Sequence, residues 1–299
     1  MEIFGKEENI KNKLINEKTI KGLMSGKSYE DENFPVSSFI IKRNIRKITR
    51  IFYYFARMAD DIADNKNLKS KLKVKILLYF NDLINKNKYS DNKILNNLIQ
   101  QFESLPFGKK YSKNLLKAFL LDSSEKKYKT WNDLIFYCKY SANPVGRFVI
   151  DLVYYQENKG MKVDPKIYDA SDKLCTSLQI INHLQDCKED FKKLKRVYIP
   201  DTFFKKFSVS KKNLELGNSN QQFRMLVDEI VLKIEVFLNQ SKNGLNLIRS
   251  WRLKKETLII LNIAKRLCYL LKREDPLKKK IKLSRIDLLF CFIKGIIYD

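Results

Sequence analysis

Between Phe39 and Asp64 the chain places apolar side chains at three- and four-residue spacing, in Phe-Ile-Ile-Lys-Arg-Asn-Ile-Arg-Lys-Ile-Thr-Arg-Ile-Phe-Tyr-Tyr-Phe-Ala-Arg-Met, and runs on into Ala-Asp-Asp-Ile-Ala-Asp without one Gly or Pro. That period is the signature of a helix with one buried face, and its length predicts one long helix over 39–64. Nine Gly and six Pro in 299 residues leave too few turn formers for an all-β or doubly wound α/β chain. The same period recurs at 71–87, 92–103, 112–121, 131–140, 145–157, 167–193, 221–249 and 256–273, separated by short breaks such as Leu105-Pro106-Phe107-Gly108 and Glu215-Leu216-Gly217-Asn218. No internal repeat, low-complexity linker or shift of composition marks a boundary. The expectation is all-α: a single domain over residues 1–299, a bundle of about ten helices around a central active-site cavity.

A formal charge of +25 raises the question of a polyanionic partner. The lysines are scattered through Ile/Asn/Lys-rich sequence, with no basic patch interleaved with aromatics and no DNA-binding motif, so no nucleic acid is expected. The five cysteines, Cys138, Cys175, Cys187, Cys268 and Cys291, lack C-x-x-C spacing and fit reduced thiols in a cytoplasm. The first residues show no secretory pattern, and no stretch is apolar enough to span a membrane.

Two groups of oxygen-bearing side chains interrupt otherwise apolar helices. In Arg57-Met58-Ala59-Asp60-Asp61-Ile62-Ala63-Asp64, residues four apart project about 40° from one another, so Asp60 and Asp64 share a face. Their like charges repel unless water surrounds them or a divalent cation lies between them, and both readings stay open for this motif alone. The second group is Gln179-Ile180-Ile181-Asn182-His183-Leu184-Gln185-Asp186-Cys187-Lys188-Glu189-Asp190. Asn182, Asp186 and Asp190 stand at i, i+4 and i+8, a ladder of hard oxygens along roughly 12 Å of one helix face, with Gln179 joining it. Two such faces opposed in a bundle would hold Mg²⁺ against a diphosphate leaving group, with aromatic walls sheltering a carbocation. His183 lies beside the ladder and reads as packing. No P-loop, Rossmann fingerprint or Ser-His-Asp set is present.

With these motifs in one all-helical chain, the sequence resembles the squalene/phytoene synthase family over about residues 31–290, residues 1–30 being a variable lead. The family's first aspartate-rich motif matches Asp60 and Asp64 with Arg57 before them, and its second matches Gln179, Asn182, Asp186 and Asp190. Tyr137-Cys138…Ala142-Asn143-Pro144-Val145-Gly146 and Arg196-Val197-Tyr198 look like two further family segments. Three features resemble the hydroxysqualene synthase (HpnC-type) branch: Glu32-Asn33-Phe34-Pro35-Val36 at the entry to the first core helix, Gln185 where many members carry Arg, and the Asn143-Pro144 pair.

The resemblance implies Mg²⁺-dependent ionisation of presqualene diphosphate, rearrangement of the cation, and capture by water to give hydroxysqualene in hopanoid and squalene biosynthesis. It implies Mg²⁺ ligands at Asp60, Asp64, Asn182, Asp186 and Asp190, with Asp61 beside them, and diphosphate contacts from Arg57 and Arg196. Asn33, Phe34, Gln179 and Gln185 would line the substrate site, and Tyr137 would donate a hydrogen bond to the departing diphosphate or to water. Gln185 suggests that one diphosphate rather than two is held, so that a cation near the metals is dispensable, or that its amide places water.

The competing readings are a head-to-head prenyltransferase joining two farnesyl or other prenyl diphosphates, and a non-catalytic basic helical protein binding membrane or polyanion. Finally, the basic run Lys278-Lys279-Lys280-Ile281-Lys282-Leu283-Ser284-Arg285 and the apolar stretch Ile286–Ile297 read either as a last helix packed on the bundle or as a segment lying on the inner face of an anionic membrane. Other enzymes of squalene synthesis are expected partners.

Overall fold

The computed structural model describes residues 20, 22–26, 38–124, 127–157 and 161–297. They are helical, with no strand among them, and they fall within two compact units: Met1–Glu32 with Lys42–Lys126, and Asn33–Ile41 with Lys127–Asp299. Asn33 and Phe34 lie outside the described residues.

The first unit holds α1 (Arg43–Asp64), α2 (Ser70–Lys86), α3 (Lys93–Glu103) and α4 (Gly108–Ser123). Its core is the apolar stripe that the sequence shows: Phe52, Phe55, Met58 and Ile62 of α1 are buried with Leu77, Phe80 and Leu83 of α2, Leu95 and Ile99 of α3, and Leu115 and Leu116 of α4. Asn92 caps α3 by accepting from the Leu95 N–H at 3.0 Å. α1 begins at Arg43, four residues later than the period predicts. The preceding polar groups are already engaged within the second unit: Ser38 N–H donates to Glu256 Oε1 at 2.8 Å, and the Ile40 carbonyl accepts from Arg252 at 2.8 Å.

The second unit holds α5 (Trp131–Ser141), α6 (Asn143–Glu157), α7 (Pro165–Gln185), the one-turn α8 (Cys187–Glu189) with a π-turn over Asp190–Leu194, α9 (Asp201–Lys206), a 3₁₀ turn (Lys211–Glu215), α10 (Gln221–Asn246), α11 (Trp251–Arg273) and α12 (Arg285–Ile297). α7 is its central element and packs on α6 and α10, while α11 packs on α10 and α12. Thr130 and Asp133 close a capping box at the start of α5, and Asp164 with Pro165 starts α7, each end satisfying otherwise orphaned N–H groups.

The run from Asn143 to Gly146 has a packing cause. The amide nitrogen of Asn143 faces the Cys138 carbonyl at 3.3 Å, the Asp172 carbonyl at 3.2 Å and the Thr176 hydroxyl at 3.0 Å, joining the end of α5 to the middle of α7. At Gly146 a Cβ would stand 2.4 Å from Ser171 Oγ and 2.6 Å from Cys175 Sγ, so α6 can approach α7 this closely only without a side chain there. Arg147, one residue on, makes a two-pronged ion pair with Asp172 through Nε at 2.8 Å and a terminal nitrogen at 2.7 Å.

Candidate diphosphate and metal site

At the C-terminal end of α1, Arg57 is the organising cation. One terminal nitrogen lies 3.2 Å from Asp60 and the other 2.9 Å from Asp61. Asp61 is buried, and it also accepts from the Ser25 N–H at 2.9 Å and the Ser25 hydroxyl at 3.1 Å. Its oxygens therefore tie Ser25 to α1. Burial, then repulsion from Asp64, raises the Asp60 pKa well above the carboxylate norm, with Arg57 pulling the other way. Because 32% of the Asp60 side chain is still open, the crowding of Asp60, Asp61, Asp64 and Asp122 is the firmer of these causes. A groove of 1010 Å³ lined by Arg43, Arg46, Lys47 and Arg50 lies at the other end of α1, and neither aspartate lines it.

In the second unit the ladder keeps its register although the predicted single helix over 167–193 does not. α7 stops at Gln185, where Asp186 leaves helical geometry at φ −105°, ψ 6°. The Asp186 N–H still bonds the Asn182 carbonyl at 2.9 Å, and the Asp190 N–H bonds the Asp186 carbonyl at 2.8 Å. Two successive four-residue steps thus survive the break, and Asn182, Asp186 and Asp190 remain one turn apart. The wider π-turn that follows ends in Lys195, in left-handed geometry at φ 55°, and turns the chain toward Arg196 and Tyr198. π-turns of this kind recur at functional sites.

Tyr137, His183 and Tyr198 are buried together with Tyr128 in one aromatic cluster. The His183 ring stacks on Tyr198 at 3.6 Å between centroids, and Tyr137 meets Tyr198 at 5.5 Å. Burial and then the charge of Arg196 hold the His183 pKa down at about 3. The neutral ring can then accept through Nε2 from the Gln179 amide nitrogen, 3.2 Å away, leaving the amide oxygen of Gln179 to point elsewhere. Arg196 reaches the Tyr198 hydroxyl at 3.5 Å. Tyr137 is thus an aromatic of the core beside Gln179 and His183.

Gln185 has a partner that its sequence position does not suggest. It is buried, and its amide nitrogen donates to the Ile281 carbonyl at 2.6 Å. Lys188 donates to the Leu277 carbonyl at 2.5 Å, and the Lys280 ammonium pairs with Asp186. The segment from Leu277 to Ile281 is therefore strapped across the end of α7, and it brings a cation to the ladder one residue from Gln185. Lys280 is a neighbour of the ladder that the sequence does not announce, because in the basic run it stands out only by its charge.

Among the described residues no three His, Cys, Asp or Glu side chains converge as a ready-made metal cage. The donors nevertheless fit Mg²⁺ in kind: carboxylate and amide oxygens, and a crowded Asp60–Asp64 pair whose repulsion a divalent cation would relieve.

The squalene/phytoene synthase family model matches residues 28–287, and the chain belongs to that family. Among its relatives are the hydroxysqualene synthases of Zymomonas mobilis, 33% identical over 278 residues (93% of this chain, 91% of the relative), and of Sinorhizobium fredii, 35% identical over 272 residues (90% and 89%). The fold matches the squalene synthase HpnC of Alicyclobacillus acidocaldarius with a TM-score of 0.70 at 21% identity, covering 86% of this chain and 92% of that one. A dehydrosqualene synthase in complex with ligand matches with a TM-score of 0.71 at 22% identity, covering 87% and 88%.

Proposed function

We propose that this chain is an Mg²⁺-dependent enzyme that converts presqualene diphosphate to hydroxysqualene, the whole chain acting as one isoprenoid synthase domain. The observation that carries this reading is the Asn182–Asp186–Asp190 ladder, whose register is kept across a broken helix, in a chain whose relatives over about nine-tenths of its length are hydroxysqualene synthases. The proposed Mg²⁺ ligands are Asp60 and Asp64, and Asn182, Asp186 and Asp190. Bound there, Mg²⁺ would supply Lewis-acid neutralisation of the diphosphate.

The chain's own residues do the remainder. Arg57 and Arg196 hold diphosphate oxygens with planar donors. The substrate's carbon–oxygen bond breaks with its electron pair leaving on diphosphate, the cyclopropylcarbinyl cation rearranges, and a water oxygen bonds to the cation and loses a proton. Gln179, set by His183, and the Tyr137–Tyr198 cluster bound the space beside the ladder and exclude bulk water. The proposed setting is the cytoplasm, at the inner face of the membrane, with other enzymes of squalene synthesis as neighbours.

The test offers purified protein farnesyl diphosphate and presqualene diphosphate separately, with Mg²⁺, and reads the products by mass spectrometry with and without NADPH. Hydroxysqualene from presqualene diphosphate alone is expected, independent of NADPH; farnesyl diphosphate consumption, or squalene appearing only with NADPH, would refute the reading. Asp60→Ala and Asp186→Ala, still helical by circular dichroism, should each lose turnover by about a hundredfold or more. Retained turnover in either would remove that residue from the ligand set.

A further inference from the structure

α12 settles as a packed helix, and yet most of its apolar surface is not used in the packing. Cys291 and Gly295 form its contact side. A Cβ at Gly295 would stand 2.5 Å from Ile259 Cγ1 and 2.7 Å from the Ile259 backbone nitrogen, so α12 lies directly on the backbone of α11. Asp287 fixes its start, accepting from Ser284 N–H at 3.0 Å and from Arg266 Nε at 2.7 Å. Ile286, Leu289, Phe290, Ile293 and Ile297 are 80%, 59%, 63%, 44% and 64% exposed.

At about 100° per residue these five side chains fall within a stripe roughly 100° wide, centred nearly opposite Cys291 and Gly295. Arg285 and Lys294 stand at its two edges, each about 40° beyond the nearest apolar residue. Phe39, 71% exposed, meets Phe292 in a tilted contact with 5.6 Å between ring centroids and extends the apolar surface onto the segment that precedes α1. Contiguous apolar surface of this size on a soluble protein marks an interaction site.

We infer that this stripe is a docking surface for an anionic lipid bilayer, with α12 lying in the plane of the interface. Charge decides between the candidate occupants. Both charged residues bordering the stripe are cations, and Lys278 and Lys282 lie in the basic run just before the helix. Asp287, the acidic residue of its first turn, is compensated by Arg266. Two copies joined stripe to stripe would bring cation against cation at the rim, whereas an anionic headgroup layer would meet the rim with opposite charge while the acyl region takes up the apolar side chains. Among the described residues no helix is long and apolar enough to cross a membrane, so the surface lies on the bilayer and does not span it. The surface stands whichever diphosphate the site takes.

The test is flotation of the full chain with vesicles of phosphatidylcholine, with and without phosphatidylglycerol. Wild type should float with the anionic vesicles and much less with the neutral ones. The combined variant Ile286→Ser, Leu289→Ser, Phe290→Ser, confirmed folded by circular dichroism and melting, should lose about tenfold or more of the bound fraction. Arg285→Gln with Lys294→Gln should lose the preference for anionic vesicles. Equal flotation of the serine variant and wild type would overturn the assignment. So would wild type that does not float and forms a dimer which the serine variant converts to monomer by light scattering.

Discussion

Replacing Asn143 by Asp changes one nitrogen to an oxygen and leaves the shape of the side chain intact, yet it should be among the costliest single substitutions in the second unit. The amide nitrogen faces two backbone carbonyls and the Thr176 hydroxyl, so an ionised carboxylate in its place would turn a buried negative charge toward carbonyl oxygens, and that charge would be strongly disfavoured. The folded chain escapes by keeping the carboxyl protonated. Holding a proton at pH 7 on a group whose ordinary pKa is about 3.9 costs about 4 kcal/mol, at 1.36 kcal/mol per unit. The protonated acid keeps one donor where the amide had two, which removes about 1 kcal/mol more.

The expected loss is therefore about 5 kcal/mol at pH 7, a large part of a stability of about 5–15 kcal/mol. Because the folded-state pKa of the introduced carboxyl lies above its unfolded value, the loss grows as pH rises and shrinks toward about 1 kcal/mol as pH falls to about 4. Urea denaturation of wild type and Asn143→Asp at several pH values reads it directly. A deficit under about 1 kcal/mol at neutral pH, or one that does not change with pH, would refute the orientation and burial assigned to this amide.

Three further outcomes follow from the same structure. Gln185→Leu leaves the buried Ile281 carbonyl without its 2.6 Å donor, and should cost about 1–3 kcal/mol and free the strap, read as faster proteolysis after Leu277; Gln185→Arg, with a donor of wrong length in a buried position, should not rescue it. Glu256 is buried with Ser38 as its donor, and burial raises its pKa above the ordinary range. The folded state therefore keeps its proton to higher pH than the unfolded state does, so wild type should lose melting temperature relative to Glu256→Gln as pH rises above the ordinary glutamate range, and a constant difference would count against this. Gly146→Val should force α6 from α7 and lower stability by about 1–3 kcal/mol or more, with Arg147→Lys at the neighbouring ion pair far milder.

The helices that a reader of the sequence finds are those with one long apolar face, because that face is what the core selects: α1, α7, α10 and α11 announce themselves through Phe52, Leu178, Ile230 and Leu267. α9 and the 3₁₀ turn are too short for a period to show. The start of α1 is hidden because Ser38 and Ile40 are held by α11, more than two hundred residues on. Of the candidate site, the four-residue spacing of Asp60 with Asp64 and of the three-step ladder is legible because such spacing is a local property. The tasks of Asp61 and Gln185 are not, since each is set by a partner distant in sequence, Ser25 and Ile281. Asn143 and Gly146 show in the sequence as a family signature, and only the packing of α6 on α7 gives their reason.

The strap also sets a timetable for the chain. Gln185 and Ile281 are 96 positions apart, and at about 5–20 residues per second a ribosome needs roughly 5–20 seconds to pass from one to the other. Throughout that interval the end of α7 has been made but lacks the carbonyls of Leu277 and Ile281 and the ammonium of Lys280. A nascent chain can therefore assemble the first unit and much of the second while its aspartate ladder still lacks the strap, and the surroundings of Asp186 are complete only once Lys280 and Ile281 have been made.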